Sequence, residues 1–426
     1  MMIAMTSAQS VSALTILSSS AQGQQEERYY THPIADEIKT LRTVVDGDFM
    51  RLPVIDNTEN SQIEISFDYL ANEEPYLEYR IVHCDAQWQQ DDLSELDYLD
   101  GFLPVKMERA KPSFNTFSNY FHYSVNFPNE DVRLLVSGNY AVIFYEEGDT
   151  ETPLAAATFS VSEQLAFVAG EVSANTDIDF RQQHQQLTLQ CTWSQPQLPY
   201  LDPAHDLQLV VTQNHRTDTR RTLSVPSRME AGKAFYEHQR PLIFEAGNTY
   251  RRFEFTDYRY ATFGVERVRY QAPEYHVSLV RDQSRAGSFY RYDQDQHGRY
   301  LVRALRVEDV DTESEYFVAE FTLSDAMPPK GSGGIYLSGD FTYGETTDAY
   351  RMQYDLERQC YVAEVRLKQG HYNYQYLVKD VTGKLSSQVV EGNYHETQNQ
   401  YDVYVYYRPM GARYDRLLGV AQFVSK

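Results

Sequence analysis

The chain has 426 residues, 42% of them hydrophobic, with 35 tyrosines and a formal net charge of -23. That length calls for more than one domain with its own core, and the charge argues against nucleic acid, which is held through basic patches. Three cysteines, Cys84, Cys191 and Cys360, lie far apart without CxxC spacing, which argues against a zinc site or a disulfide framework. No window after residue 30 holds the ~18 apolar residues of a membrane helix, so no transmembrane segment is expected.

In chain order, residues 1–23 read as a signal peptide. They have a short apolar middle and then "SSSAQGQ", where Ala21 and Gly23 are the small residues that precede cleavage before Gln24. The first basic residue is Arg28, so the usual positive amino-terminal region is missing.

Residues 24–162 form the first expected domain. In "QIEISFDYL", Ile63, Ile65, Phe67 and Tyr69 share one face and Glu64, Ser66 and Asp68 the other, which predicts a half-buried strand. The domain is acidic, with 26 acidic and 9 basic residues, whereas residues 200–310 carry 15 and 17. Solubility accounts for such a balance without a functional field.

Within it, "YRIVHCDAQW" sets a histidine, a cysteine and an aspartate side by side. A nucleophilic dyad needs both side chains within hydrogen-bond reach. Alternation along a strand instead places His83 with Leu77, Tyr79 and Ile81, and Cys84 with Glu78, Arg80 and Val82. His83 and Cys84 therefore read as packing residues, with Trp88 over the strand end. A cysteine hydrolase built on Cys84 is the competing reading, and a thiol-directed probe would report it. The stretch "DDLSELDYLDGF" predicts a short helix or an acidic loop.

A second domain is expected at 163–283. In "LTLQCTW", Cys191 and Trp193 lie on an apolar stripe with Leu187 and Leu189, so both read as core. A third is expected at 284–410, followed by a tail at 411–426. Its strands include "SEYFVAEFTLS", "GGIYLSGDFTYG", "CYVAEVRLKQG" and "HYNYQYLVKD". Many short strands between turn clusters predict an all-β chain of tandem immunoglobulin-like sandwiches with little helix. In "YDQDQHGRY", Asp293, Asp295 and Gly298 imitate part of a calcium loop. Position twelve is Ala304 where a bidentate glutamate is required, so a polar hairpin turn is expected. No catalytic, cofactor-binding or metal-ligating residues emerge.

The ordered series "EYRIVHCDAQW", "SFNTFSNYFHYSVNFP", "VSGNYAVIFY", "VTQNHR", "GNTYRRFEF", "LKQGHYNYQY" and "VVEGNYHETQNQYDVYVYYRP" resembles the plug protein family of the type IX secretion system of Bacteroidota, from about Tyr30 to Pro409. The third domain also resembles the early-set module of carbohydrate-binding proteins, through "GGIYLSGDFTYGE" and "LKQGHYNYQYLV". Tyr343 is the only aromatic where that module carries its sugar-stacking tryptophan.

The resemblance implies a non-enzymatic periplasmic plug at the inner face of the outer membrane. It would occlude the periplasmic mouth of the type IX translocon β-barrel when no cargo shuttle is bound, with no small-molecule substrate and no cofactor. The alternative is a periplasmic glycan-binding protein. For the plug, the first choice of partner interface is the acidic loop, where Asp97 and Asp100 stand beside Tyr98, Leu99 and Phe102 and join steering charge to apolar anchors.

Overall fold

A computed structural model describes residues 28–56 and 61–425; the expected signal peptide at 1–23 lies outside them. Among the described residues, α-helix is confined to two four-residue turns, Glu95–Tyr98 and Val310–Glu313. Three single 3-10 turns, Arg240–Leu242, Asp340–Thr342 and Asp348–Tyr350, add little, and the fold is all-β.

The first sandwich has a six-stranded sheet in the order His32–Pro33, Ala155–Ser162, Gly138–Glu146, Leu77–Cys84, Val105–Lys106, with Val54–Asp56 added parallel to Ala155–Ser162. Its second sheet runs Ile38–Val45, Ile63–Tyr69, Phe121–Phe127, Lys111–Pro112. Alternate residues of both sheets meet in one core. Phe67 lies edge-on to Phe144 at 4.9 Å, and Tyr79 to Phe127 at 5.6 Å.

The middle sandwich pairs Ala166–Ser173, His184–Trp193, Lys233–Tyr236 and Arg228–Glu230 in one sheet, with Ile243–Glu245 also on His184–Trp193. The other sheet is Arg216–Leu223, Leu207–Gln213, Gln400–Tyr407, Arg416–Val424. Leu187, Leu189, Cys191 and Trp193 pack against Tyr401, Val403 and Val405.

The third sandwich centres on Gly370–Lys379, which pairs with Arg251–Phe255, Tyr300–Val302, Gly334–Ser338 and Leu385–Ser386. Its other sheet runs Val265–Gln271, Glu274–Leu279, Tyr316–Ser324, Cys360–Lys368, Gln353–Asp355.

These pairings correct two expected boundaries. Residues 251–279 belong with the third sandwich, because Arg251–Phe255 joins Gly370–Lys379 and Glu274–Leu279 joins Tyr316–Ser324. The third sandwich therefore begins before residue 284. The expected tail at 411–426 contains the strand Arg416–Val424, which completes the middle sandwich beside Gln400–Tyr407. The third sandwich is thus an insertion between strands of the middle one. Alternation marks which segments are strands; it does not name their partners.

Candidate interaction surfaces

The acidic loop divides between core and surface. Ser94 and Asp97 form a capping box around the Glu95–Tyr98 turn. That turn swings Tyr98 inward, where its hydroxyl donates to the Ile81 carbonyl at 3.0 Å. Tyr98 and Leu99 are each 3% exposed and belong to the first core. This corrects the expectation of surface anchors, because both side chains are committed to packing. Phe102 is 91% exposed and Leu96 82%. Asp97 pairs with Arg413 at 3.0 Å, which ties the loop to the middle sandwich, and Asp100 pairs with Arg133 at 2.9 Å.

The Leu77–Cys84 strand keeps an unbroken register with Gly138–Glu146, so His83 and Cys84 point to opposite faces. His83 contacts Asp91 through Nδ1 and the Ser137 carbonyl through Nε2 at 3.1 Å. The Cys84 thiol is buried and raised well above its ordinary pKa by desolvation, and further by Asp91 and Asp85. A thiol so held is a poor nucleophile. Trp88 sits just past the strand end, half-buried, in the left-handed region at φ 66°. Cys191 is buried, its thiol pushed up to about 12 by burial, and Trp193 is 9% exposed. Among the described residues all three cysteines are free.

The calcium-like segment is irregular chain ending in a turn at His297–Gly298, where a hairpin had been expected. Asp293 pairs with Arg252, and the Asp295 carboxylate accepts the N–H groups of Tyr250 and His297. Tyr343 is partly buried against the first core, and its hydroxyl accepts the Leu41 N–H at 3.0 Å.

The seams between sandwiches were not foreseen. Between the first and third, Asp68 accepts from His122 Nδ1 at 2.7 Å, from the Tyr316 hydroxyl at 2.6 Å and from Lys368 Nζ at 2.6 Å. The Asp68 and Lys368 side chains are each 1% exposed. The ammonium also lies 4.2 Å from the centre of the Tyr120 ring, a cation–π contact. Burial works to raise Asp68, but Lys368 and His122 outweigh it and hold the carboxyl below its ordinary value. Arg42 and Asp311 close the same seam at 2.7 Å.

Arg299, from the third sandwich, joins all three units. It donates to the Phe49 and Arg51 carbonyls of the first and to His215 Nε2 of the middle. His215 Nδ1 in turn meets Asp402 at 2.7 Å. Glu163–Arg416 at 2.5 Å and Ala86 N–H to Asp415 at 2.8 Å tie the first sandwich to the middle.

The middle and third sandwiches leave a cleft of about 540 Å³, lined by Gln213, Arg216, Arg221, Glu245, Gln375 and Lys384 among others. Two ion pairs stand on its walls, Arg216–Asp218 at 2.6 Å and Lys384–Glu245 at 3.1 Å.

These features define a protein of three interlocked β-sandwiches whose charged residues bind its own units together. Residues 38–163 match the family model described as type 9 secretion system plug protein 1st domain. Residues 38–163 are therefore a first domain of the type IX secretion system plug kind, which supports a role related to type IX secretion and an envelope setting. It is similar to the crystal structure of a hypothetical protein from Parabacteroides merdae ATCC 43184. The two are 38% identical with a TM-score of 0.90, over 94% of this chain and 100% of that one. The crystal structure of dimeric latent PorU from Porphyromonas gingivalis also matches, at 10% identity and a TM-score of 0.14, over 91% of this chain and 34% of that one; that overlap carries no argument. No curated protein matches the chain.

Proposed function

We propose that the protein is a non-enzymatic periplasmic plug, held at the inner face of the outer membrane, that occludes the mouth of the type IX translocon barrel when no cargo shuttle is attached. The observation that carries this reading is the way the three sandwiches are locked together. Asp68 and Arg299 make buried polar contacts across the seams, which suits a body that must block an opening without deforming. The buried, protonated Cys84 speaks against a cysteine hydrolase. Tyr343 is partly buried with its hydroxyl engaged by the Leu41 N–H, which speaks against the broad stacking face that glycan binding would need.

Within this reading Phe102 and Leu96, beside Asp97 and Asp100, form the apolar-with-charge patch offered to the barrel. Reversible interfaces rest on such small anchored patches within polar rims. The test is affinity purification of the tagged full chain from native membranes, with a dye-entry assay on cells lacking it. An outer-membrane barrel should co-purify and the deletion should admit the dye. Absence of the barrel, together with unchanged dye entry, would sink the proposal.

A further inference from the structure

The strand Val265–Gln271 ends its six-stranded sheet, paired on one side only, with Glu274–Leu279. Among the described residues, Glu266–Gln271 make no backbone hydrogen bond outside that hairpin. Alternate residues of an antiparallel edge turn N–H and C=O outward, so this edge presents a row of unused donors and acceptors. Glu266, Arg267, Arg269, Tyr270 and Gln271 are exposed along it.

Two further features single out this edge. The first is charge. Arg267 forms no ion pair among the described residues, and the carboxylate near Arg269, Glu320, is already held by Arg358 at 2.7 Å. Two guanidinium groups, neither of them in an ion pair among the described residues, thus stand two positions apart on one strand of a chain of net charge -23. The second is an aromatic box at the end of the strand. Tyr270 lies 5.1 Å from Tyr275, and Phe117 reaches over from the first sandwich to within 4.9 Å of Tyr270 and 5.7 Å of Tyr275. Tyr258 closes the group 5.1 Å from Tyr275. Phe117, Tyr270 and Tyr258 remain 53%, 48% and 41% exposed. The box is also built: the Phe117 and Ser118 N–H groups are held by the Glu315 carboxylate across the seam.

We propose that this edge is a docking site for an extended acidic segment of a partner protein, which adds to the sheet as a further strand. The partner's backbone would satisfy the open edge. Its carboxylates would meet Arg267 and Arg269, which favour the bidentate geometry a carboxylate offers. One apolar side chain would seat in the aromatic box, where Tyr and Phe supply anchoring area. The arginines decide the occupant: a second copy of the same edge would set arginine against arginine, whereas an acidic strand is attracted. Charged edge residues ordinarily prevent self-pairing, and here the same charges select the opposite sign. The proposal stands whether or not the chain plugs a barrel.

The test is selection of a displayed library of random twelve-residue peptides on the full chain, followed by hydrogen exchange with a synthetic peptide of the enriched sequence. Peptides alternating Asp or Glu with apolar residues should be enriched. The synthetic peptide should slow exchange of the amides in 265–271. It should lose at least tenfold in affinity toward the Arg267→Glu/Arg269→Glu variant, whose exposed substitutions leave the core untouched. Enrichment without acidic bias, protection elsewhere in the molecule, or undiminished binding to the double variant would each overturn the proposal. Protection of 265–271 by the protein itself at high concentration would also overturn it, in favour of a second copy.

Discussion

The seam between the first and third sandwiches and the seam between the middle and third solve one problem in opposite ways. At the centre of the first, Asp68 and Lys368 are nearly fully buried and Asp68 accepts from three donors, while Arg42 and Asp311 stand at its rim. The second keeps one buried link, Arg299 to His215, and beside it opens a polar cleft of about 540 Å³ whose ion pairs stay partly in water, with Lys384 63% exposed. A buried pair specifies geometry, because removing one partner strands the other charge. A solvated pair contributes little. The first sandwich is therefore fixed on the third residue by residue, whereas the cleft tolerates substitution.

The sharpest way to break this comparison is Lys368→Met. Leaving Asp68 buried without its ammonium should cost about 3–5 kcal/mol, read as a drop in the urea midpoint. Adding Asp68→Asn should recover much of the loss. A single-variant cost under about 1 kcal/mol would mean the seam is wetter than described.

Acid should expose the same asymmetry. The Asp68 carboxyl is held below its ordinary value, so as pH falls the unfolded chain takes up its proton first. The stabilisation is fully present above the unfolded pKa of about 3.9 and is lost as pH falls through the folded value. Asp68→Asn should flatten the acid limb of stability measured from pH 6 to pH 3. Glu245 in the cleft is also held low, against burial, by Ser386 and Lys384. Glu245→Gln should flatten that limb less. Equal effects would erase the distinction between the seams.

Cys84→Ser, away from both seams, should cost roughly 1–3 kcal/mol if the new hydroxyl finds no partner, with partner association retained. Loss of association at an unchanged melting temperature would give Cys84 a role that packing does not. Least of all, Lys384→Ala in the cleft should change stability by less than about 1 kcal/mol, a shift best resolved by parallel urea titrations.

The strands themselves were legible. Ile63, Ile65 and Phe67 are all at 0% exposure, on the face that alternation assigned to the core. Alternation also set Ser66 and Asp68 on the opposite, polar face, yet they are at 1% and 0%. Period two reports which residues share a face, and it is silent on whether another sandwich covers that face. The same blindness affected Tyr343, which the first sandwich covers through Leu41. In the acidic loop, one helical turn between Ser94 and Leu99 was enough to send Tyr98 inward and leave Phe102 outside. Composition alone does not resolve that difference. The edge at Val265–Gln271 was hidden for another reason, since an edge is a property of strand order.

The insertion of the third sandwich into the middle one bears on how the molecule is made. The first sandwich is continuous in the chain and can close as soon as residue 162 is available. The middle one cannot: Gln400 donates its N–H to Asn214 across 186 positions, and Leu207–Gln213 waits for Gln400–Tyr407 as its neighbour. Such distant pairing is slow, because loop closure comes before the contacts that reward it. A chain emerging amino-terminus first would carry a half-built middle sandwich, its apolar face uncovered, until nearly the last residues arrive. Shortening the carboxy-terminus by a few tens of residues should thus damage a unit that begins near residue 166, while the inserted unit beside the cut keeps all its strands.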